Sequence, residues 1–138
     1  MGIINRLEKE YEFELVDEFV EHLGYMCNSL DILILGLEKE EHYTENIQEL
    51  FRIFHNIKSA SGFFKLDHMS KLAQLVEDVL EEARVKTGVA TQEFIDWMLV
   101  ISDQFGKWKN NLELNEEDLS SYNPKLIKIP KKIIEDTL

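Results

Sequence analysis

The sequence predicts an all-α fold, an antiparallel four-helix bundle with a C-terminal extension. Three observations carry this. Six Gly and two Pro in 138 residues leave few turns, which favours long helices over a many-stranded sheet. Apolar residues recur at spacings of three and four through four separate stretches, as a helix with one buried face requires. The stretches are joined by short polar segments, and four amphipathic helices so joined bury their stripes by packing antiparallel.

The first helix is expected from about Lys9 to Glu40, with Val16, Phe19, Val20, Leu23, Met26, Cys27, Leu30, Leu33, Ile34 and Leu37 facing inward. Gly24 and Gly36 weaken it locally without ending it. Glu41 to Thr44 reads as a polar loop, and Thr44 as the N-cap of a second helix over Glu45 to Phe64. The core stripe there is Ile47, Leu50, Phe51, Phe54, Ile57 and Ser61.

Asp67 fits the N-cap of a third helix running from His68 to about Thr87. Met69, Leu72, Ala73, Val76, Val79, Leu80 and Ala83 point inward, and Gly88 fits the stop. Thr91 can cap a fourth helix that buries Phe94, Ile95, Met98, Ile101, Phe105 and Trp108 and fades near Asn110. The bundle is expected to occupy 1–115. Residues 116–138, interrupted by Pro124 and Pro130, read as an extension or linker, a loosely docked terminus.

The net charge of −12 argues against nucleic acid as the main partner, because phosphate backbones are held by Lys and Arg. It argues equally against an anionic membrane surface. The longest apolar stretch, Ile32 to Leu37, is too short to span a bilayer. A single cysteine, Cys27, excludes an intrachain disulfide and suits a reducing compartment. With no basic-then-apolar leader, a cytoplasmic location is expected.

The segment Phe51 to Leu66, FRIFHNIKSASGFFKL, departs from the rest of the chain in charge and in bulk. From Leu50 to Leu72, Arg52, Lys58, Lys65 and Lys71 stand against Asp67 alone, a local +3 within a chain of −12. Such a patch suits a phosphoryl group or an acidic partner surface. Ser59, Ala60, Ser61 and Gly62 then run together on an otherwise well-filled helix. Small residues permit close approach, and a mid-helix Gly costs about 1 kcal/mol against Ala.

At ~100° per residue, His55 lies about 120° from the centre of its helix's apolar stripe, at the edge or exposed. If the second and third helices form a hairpin turning near Leu66, residues whose numbers sum to 132 share a height. His55 then faces Glu77, and Lys58 faces Gln74. A carboxylate accepting from Nδ1–H fixes the imidazole tautomer and leaves Nε2 as the nucleophile. A nearby ammonium can steady phosphoryl oxygens during in-line transfer.

HNIKSASGFF closely resembles the signature of the histidine phosphotransfer (HPt) family, in which a phosphorylated His is followed by x-[Ile/Leu]-Lys-Gly and small residues. LAQLVEDVLEEAR, Leu72 to Arg84, resembles that family's next helix. The spacing from His55 to Glu77 is closest to the phosphotransfer domain of chemotaxis histidine kinases. The likeness covers about residues 10–110 and is specific over 51–84.

The resemblance implies that His55 is phosphorylated, that Lys58 lies beside the phosphoryl group, that Glu77 hydrogen-bonds the imidazole, and that Gln74 lines the same site. From their small size Ser59, Ala60 and Gly62 are expected to give a partner room, and from charge and apolar exposure Arg52, Lys65 and Phe63 are expected to meet it. An apolar rim is expected near Phe63 and Phe64. Ser59 departs from the family, which usually has Gly there, and this bears on transfer rate and partner choice.

The chain carries no Gly-rich phosphate loop, so it is expected to be a phosphocarrier with no kinase activity of its own. The resemblance implies a response-regulator receiver domain and a histidine kinase, separate or hybrid, as partners, and a monomeric module. It implies no cofactor here, with Mg²⁺ held by the receiver. The alternative is a helical adaptor or interaction domain without phosphotransfer. A further possibility is the amino-terminal phosphotransfer domain of a longer kinase. A di-iron site needs Glu-x-x-His on facing helices. Phe19, Lys39, Arg52 and Lys65 stand three before the four histidines, so no metal is expected. His22, His42 and His68 read as ordinary surface histidines.

Overall fold

The computed structural model describes residues 1–136 and consists of five α-helices in the order α1 (Ile3–Glu10), α2 (Phe13–Leu35), α3 (Glu40–Phe63), α4 (Asp67–Arg84) and α5 (Gln92–Glu113). Short 3₁₀ turns cover Gly36–Glu38 and Pro124–Ile127. Helices α2 to α5 form the bundle, and α1 packs against it through Ile3 and Leu7. The bundle core is filled by Leu23, Leu30, Ile34, Leu50, Phe54, Ile57, Leu80, Phe94, Phe105 and Trp108, all fully buried.

Most of the predicted stripe residues lie in that core. Val20, Cys27, Leu33, Phe51 and Val79 are only partly buried at its margin. Burial still pushes the Cys27 thiol up to about 12, with Glu113 adding to the effect and Lys109 opposing it. Sequence periodicity overlooked Tyr43, Ile53 and Trp97, which are buried as well. Tyr43 donates its hydroxyl to the Ala83 carbonyl at 2.8 Å, so its polar end is satisfied where its ring is enclosed.

Several element boundaries differ from expectation. The first long helix is broken at Tyr11 and Glu12, which are extended, giving α1 and α2. Gly36 ends α2 and begins the 3₁₀ turn. The segment Glu41–Thr44 is helical, since α3 starts at Glu40 after extended Lys39; Glu40 and Glu41 suit the positive end of the helix dipole. Asp67 is the first residue of α4 and does not cap it with its side chain. Helix α4 ends at Arg84, before Thr87, and Gly88 instead supplies a φ of +133° in the loop that follows. Thr91 does cap α5, its hydroxyl accepting from the Phe94 amide at 3.0 Å, and α5 continues past Asn110 to Glu113.

Two helix ends carry no glycine although the chain enters the left-handed region there. Lys65 (φ 58°) closes α3 and Asn115 (φ 50°) closes α5. At α3 the amides of Lys65 and Leu66 donate to Gly62 and Ser61 carbonyls at 3.1 and 2.9 Å, a Schellman arrangement. It reverses the chain in three residues and sets the antiparallel register of α3 on α4. At α5, the Asn115 side chain accepts from the Ile4 amide at 3.0 Å, pinning α1. A Cβ on Gly2 would lie 2.0 Å from Asn115 Oδ1, so only glycine fits there.

The residues after α5 are docked firmly, contrary to the loose terminus expected. Leu126, Pro130 and Ile133 are buried. The indole N–H groups of Trp108 and Trp97 donate to the Ser120 and Leu126 carbonyls at 2.8 and 3.3 Å. The Thr91 amide donates to the Ile133 carbonyl at 2.8 Å. Buried donors on α5 thus find their acceptors in this strap, which is why it is held.

Candidate functional site

His55 projects from α3 next to Phe54, whose ring fills the core, so the histidine falls on the outer edge of the helix. Its side chain is 52% exposed. Nδ1 lies 3.1 Å from Glu77 Oε2 on α4. A carboxylate can only accept, so this contact places the ring proton on Nδ1 and leaves the Nε2 lone pair free. The other carboxylate oxygen of Glu77 accepts from Lys58 Nζ at 3.0 Å. Glu77 is only 13% exposed and so bridges the imidazole and the ammonium from a shielded position.

Burial opposes the Glu77 charge. The hydrogen bonds from Lys58 and His55 and the Lys58 charge outweigh it, holding the carboxyl below its ordinary value of 4.5. The bridge is therefore anionic at neutral pH.

Of the residues singled out in the sequence, the fold brings His55, Lys58 and Glu77 together. Gln74 is not part of this cluster. It is exposed, and its amide donates to Asp78 Oδ1 at 2.9 Å on its own helix. Lys58 meets Glu77 in place of Gln74, because a long side chain reaches a turn beyond its own height.

Along the small-residue run, Ser59 and Gly62 are exposed and Ala60 is partly buried. Ser61 is buried, its hydroxyl donating to the Ile57 carbonyl at 2.6 Å. A Cβ on Gly62 would approach Ser70 Oγ at 3.4 Å, so packing within the fold does not demand glycine there. The surface next to His55 is low and open.

Phe63 is 56% exposed, whereas Phe64 is buried at 6% and stacks among Tyr11 and Phe19. The apolar rim is thus Phe63 alone. Arg52 pairs with Glu49 at 2.6 Å on the surface, and Lys65 is exposed at the α3–α4 turn.

Two neighbours of His55 escaped the sequence reading. Phe51, counted as core, lies parallel to the imidazole with ring centroids 6.4 Å apart. Arg84 sets its guanidinium 4.3 Å over the Phe51 ring. The hairpin arithmetic held the signal for Arg84, since 84 and 48 also sum to 132.

The sequence model of the Hpt domain matches residues 14–118, which takes in α2 to α5 and the site. The chain belongs to the Hpt domain family. The Hpt match leaves out α1 and most of the strap after α5. Among curated proteins, this Hpt domain is 29% identical over 86 residues to the sensor histidine kinase CheAY of Helicobacter pylori, covering 62% of this chain and 11% of that protein. It is 27% identical over 86 residues to the chemotaxis protein CheA of Borreliella burgdorferi, covering 62% and 10%. It is 27% identical over 82 residues to CheA of Listeria monocytogenes, covering 59% and 13%. The chain therefore spans about a tenth of the length of these relatives. No solved structure matches it closely. No helix among the described residues is long and apolar enough to cross a membrane. Nor does any group of three or more His, Cys, Asp or Glu among them stand in a metal-binding arrangement.

Proposed function

We propose that this Hpt domain carries a phosphoryl group on His55 Nε2 and exchanges it with the aspartate of a receiver domain. The observation that carries the reading is the Nδ1–Glu77 contact at 3.1 Å, which orients a half-exposed imidazole with the Nε2 lone pair available. Nε2 attacks phosphorus in line while the bond to the aspartyl oxygen breaks. The Nδ1 proton stays on the ring, which becomes cationic as the N–P bond forms. Glu77 accepts a stronger hydrogen bond from that cation, so it stabilises the transferred state as well as orienting the ring.

Lys58 uses one of its three N–H donors on Glu77, and its remaining donors serve the phosphoryl oxygens. Ser59 and Gly62 give the partner's loops access, and Phe63 with Arg52 and Lys65 supplies the docking rim. Mg²⁺ belongs to the receiver. The module makes no phosphohistidine from ATP itself, and a histidine kinase feeds the relay.

The test is transfer from a phosphorylated receiver or a competent kinase to the wild type and to His55→Gln. An acid-labile, base-stable label on the wild type alone is expected. A folded wild type that takes no label from several competent donors would overturn the reading in favour of an adaptor role.

A further inference from the structure

His55, Phe51, Arg52, Gln48 and Arg84 line one open notch of about 260 Å³. It lies beside the imidazole and the Phe51 ring that runs parallel to it. Helical side chains lean toward the N-terminus of their own helix. On α3, His55 leans toward the level of Phe51. On antiparallel α4, Arg84 starts level with Gln48 and leans toward the position of Leu80, which is level with Arg52. The two side chains therefore converge at one height, and the Phe51 ring, lying under the Arg84 guanidinium at 4.3 Å, holds it there.

We propose that this notch is the seat of the phosphoryl group, with Arg84 and Arg52 as its anion-binding side chains and Arg84 as a catalytic residue. The inference rests on phosphorylation of His55. Charge supports it. The Lys58 ammonium is bound to Glu77, a carboxylate that is only 13% exposed, so part of its charge is engaged within the fold and further cations are needed beside its free donors. The guanidiniums pair differently. Arg84 meets Glu81 at 3.1 Å, with 40% and 61% of the two side chains exposed. Arg52 meets Glu49 at 2.6 Å, with 66% and 42% exposed.

Such exposed pairs between residues three apart are weak. A phosphoryl group of nearly two negative charges, with three strong acceptor oxygens, competes for them. A planar guanidinium also offers paired donors that match two phosphoryl oxygens at once. The chemistry recognised is thus an N-linked phosphoryl group or a transition state resembling it. As the aspartyl oxygen leaves and Nε2 bonds to phosphorus, the notch receives the equatorial oxygens and no proton changes hands.

The experiment loads the full chain with a small phosphoramidate donor and follows the ³¹P resonance of the product against pH. Wild type, Arg84→Gln and Arg84→Lys are compared, with the thermal midpoint of each as a check on folding. In Arg84→Gln the second phosphoryl ionisation is expected to move up by roughly half a pH unit. Transfer to the receiver is expected to slow by about tenfold, in kcat more than in KM. Arg84→Lys keeps the charge and should fall between. The ionisation shift should persist in about 0.5 M salt, where a remote surface charge is screened. If wild-type His55 is labelled and all three proteins titrate and transfer alike, the notch assignment is wrong and phosphotransfer stands. If wild-type His55 takes no label from phosphoramidate, from a competent kinase or from a phosphorylated receiver, the function proposed above fails, and the notch assignment with it.

Discussion

Replacing Glu77 by Ala removes two contacts at once, from His55 Nδ1 at 3.1 Å and from Lys58 Nζ at 3.0 Å. Both are charge-assisted, a class worth about 1.5–3 kcal/mol each when shielded from water. His55 is 52% exposed, so water recovers part of its loss and the lower end applies to it. At about 1.4 kcal/mol per tenfold, the loss of orientation and of support for the cationic ring predicts transfer slowed by roughly tenfold. Glu77 and Lys58 are 13% and 25% exposed, between the surface and buried regimes, so the bundle should lose about 1–2 kcal/mol of stability.

The assay is single-turnover transfer from a phosphorylated receiver, read beside urea unfolding and the ¹⁵N shifts of the His55 ring. In the wild type the ring should be in the Nδ1–H form, and in Glu77→Ala a mixture. Glu77→Gln separates the two contacts. Its amide oxygen still accepts from Nδ1–H, while its neutrality forfeits the ion pair, so stability should fall and transfer should recover much of its rate. Transfer unchanged within twofold in a folded Glu77→Ala protein, with the ring still in the Nδ1–H form, would refute the orienting role.

Stability should also depend on pH through Glu77. Its folded value lies below the ordinary 4.5, so the unfolded chain takes up the proton first as pH falls. The contribution is complete above about pH 5 and declines as pH drops through 4.5 and on through the lowered folded value. Unfolding free energies of wild type and Glu77→Gln should converge on acidification, and parallel curves would contradict the assignment. Deleting residues 119–136 strips the carbonyl partners of Trp97 and Trp108 and takes the buried Leu126 and Ile133 side chains out of the core. A loss of about 2–5 kcal/mol in urea unfolding is expected, and an unaltered midpoint would mean the strap is a mere linker. Exchanging Phe63 for Asp alters a ring that is 56% exposed. It should weaken receiver binding by calorimetry with little change in melting temperature; equal affinity would remove Phe63 from the docking rim.

The sequence by itself determined the fold class and pointed to the His55–Glu77 pairing at the candidate site. Apolar spacing depends only on the helical repeat, so the stripes of the four bundle helices could be read directly, as could the Thr91 cap, where a hydroxyl beside the first turn has one obvious donor. The adjacency of His55 and Glu77 followed from the hairpin, because a short turn between rigid helices leaves little freedom in register. The HNIKSASGFF signature named the family that the match over residues 14–118 shows.

What only the tertiary structure decided were choices between partners that are close in energy. Tyr11 breaks the first helix although neither Gly nor Pro stands there, its hydroxyl donating to the Phe63 carbonyl and its ring packing on Phe63 and Phe64. That same cluster buries Phe64 and leaves Phe63 outside, a distinction two adjacent phenylalanines do not carry locally. Gln74 takes Asp78 and Lys58 takes Glu77, since long polar side chains choose among neighbours within a turn by charge as much as by height. Residues 119–136 lack helical periodicity, and they are docked because Trp97 and Trp108 are buried with donors that need acceptors. That requirement exists only once α5 is packed.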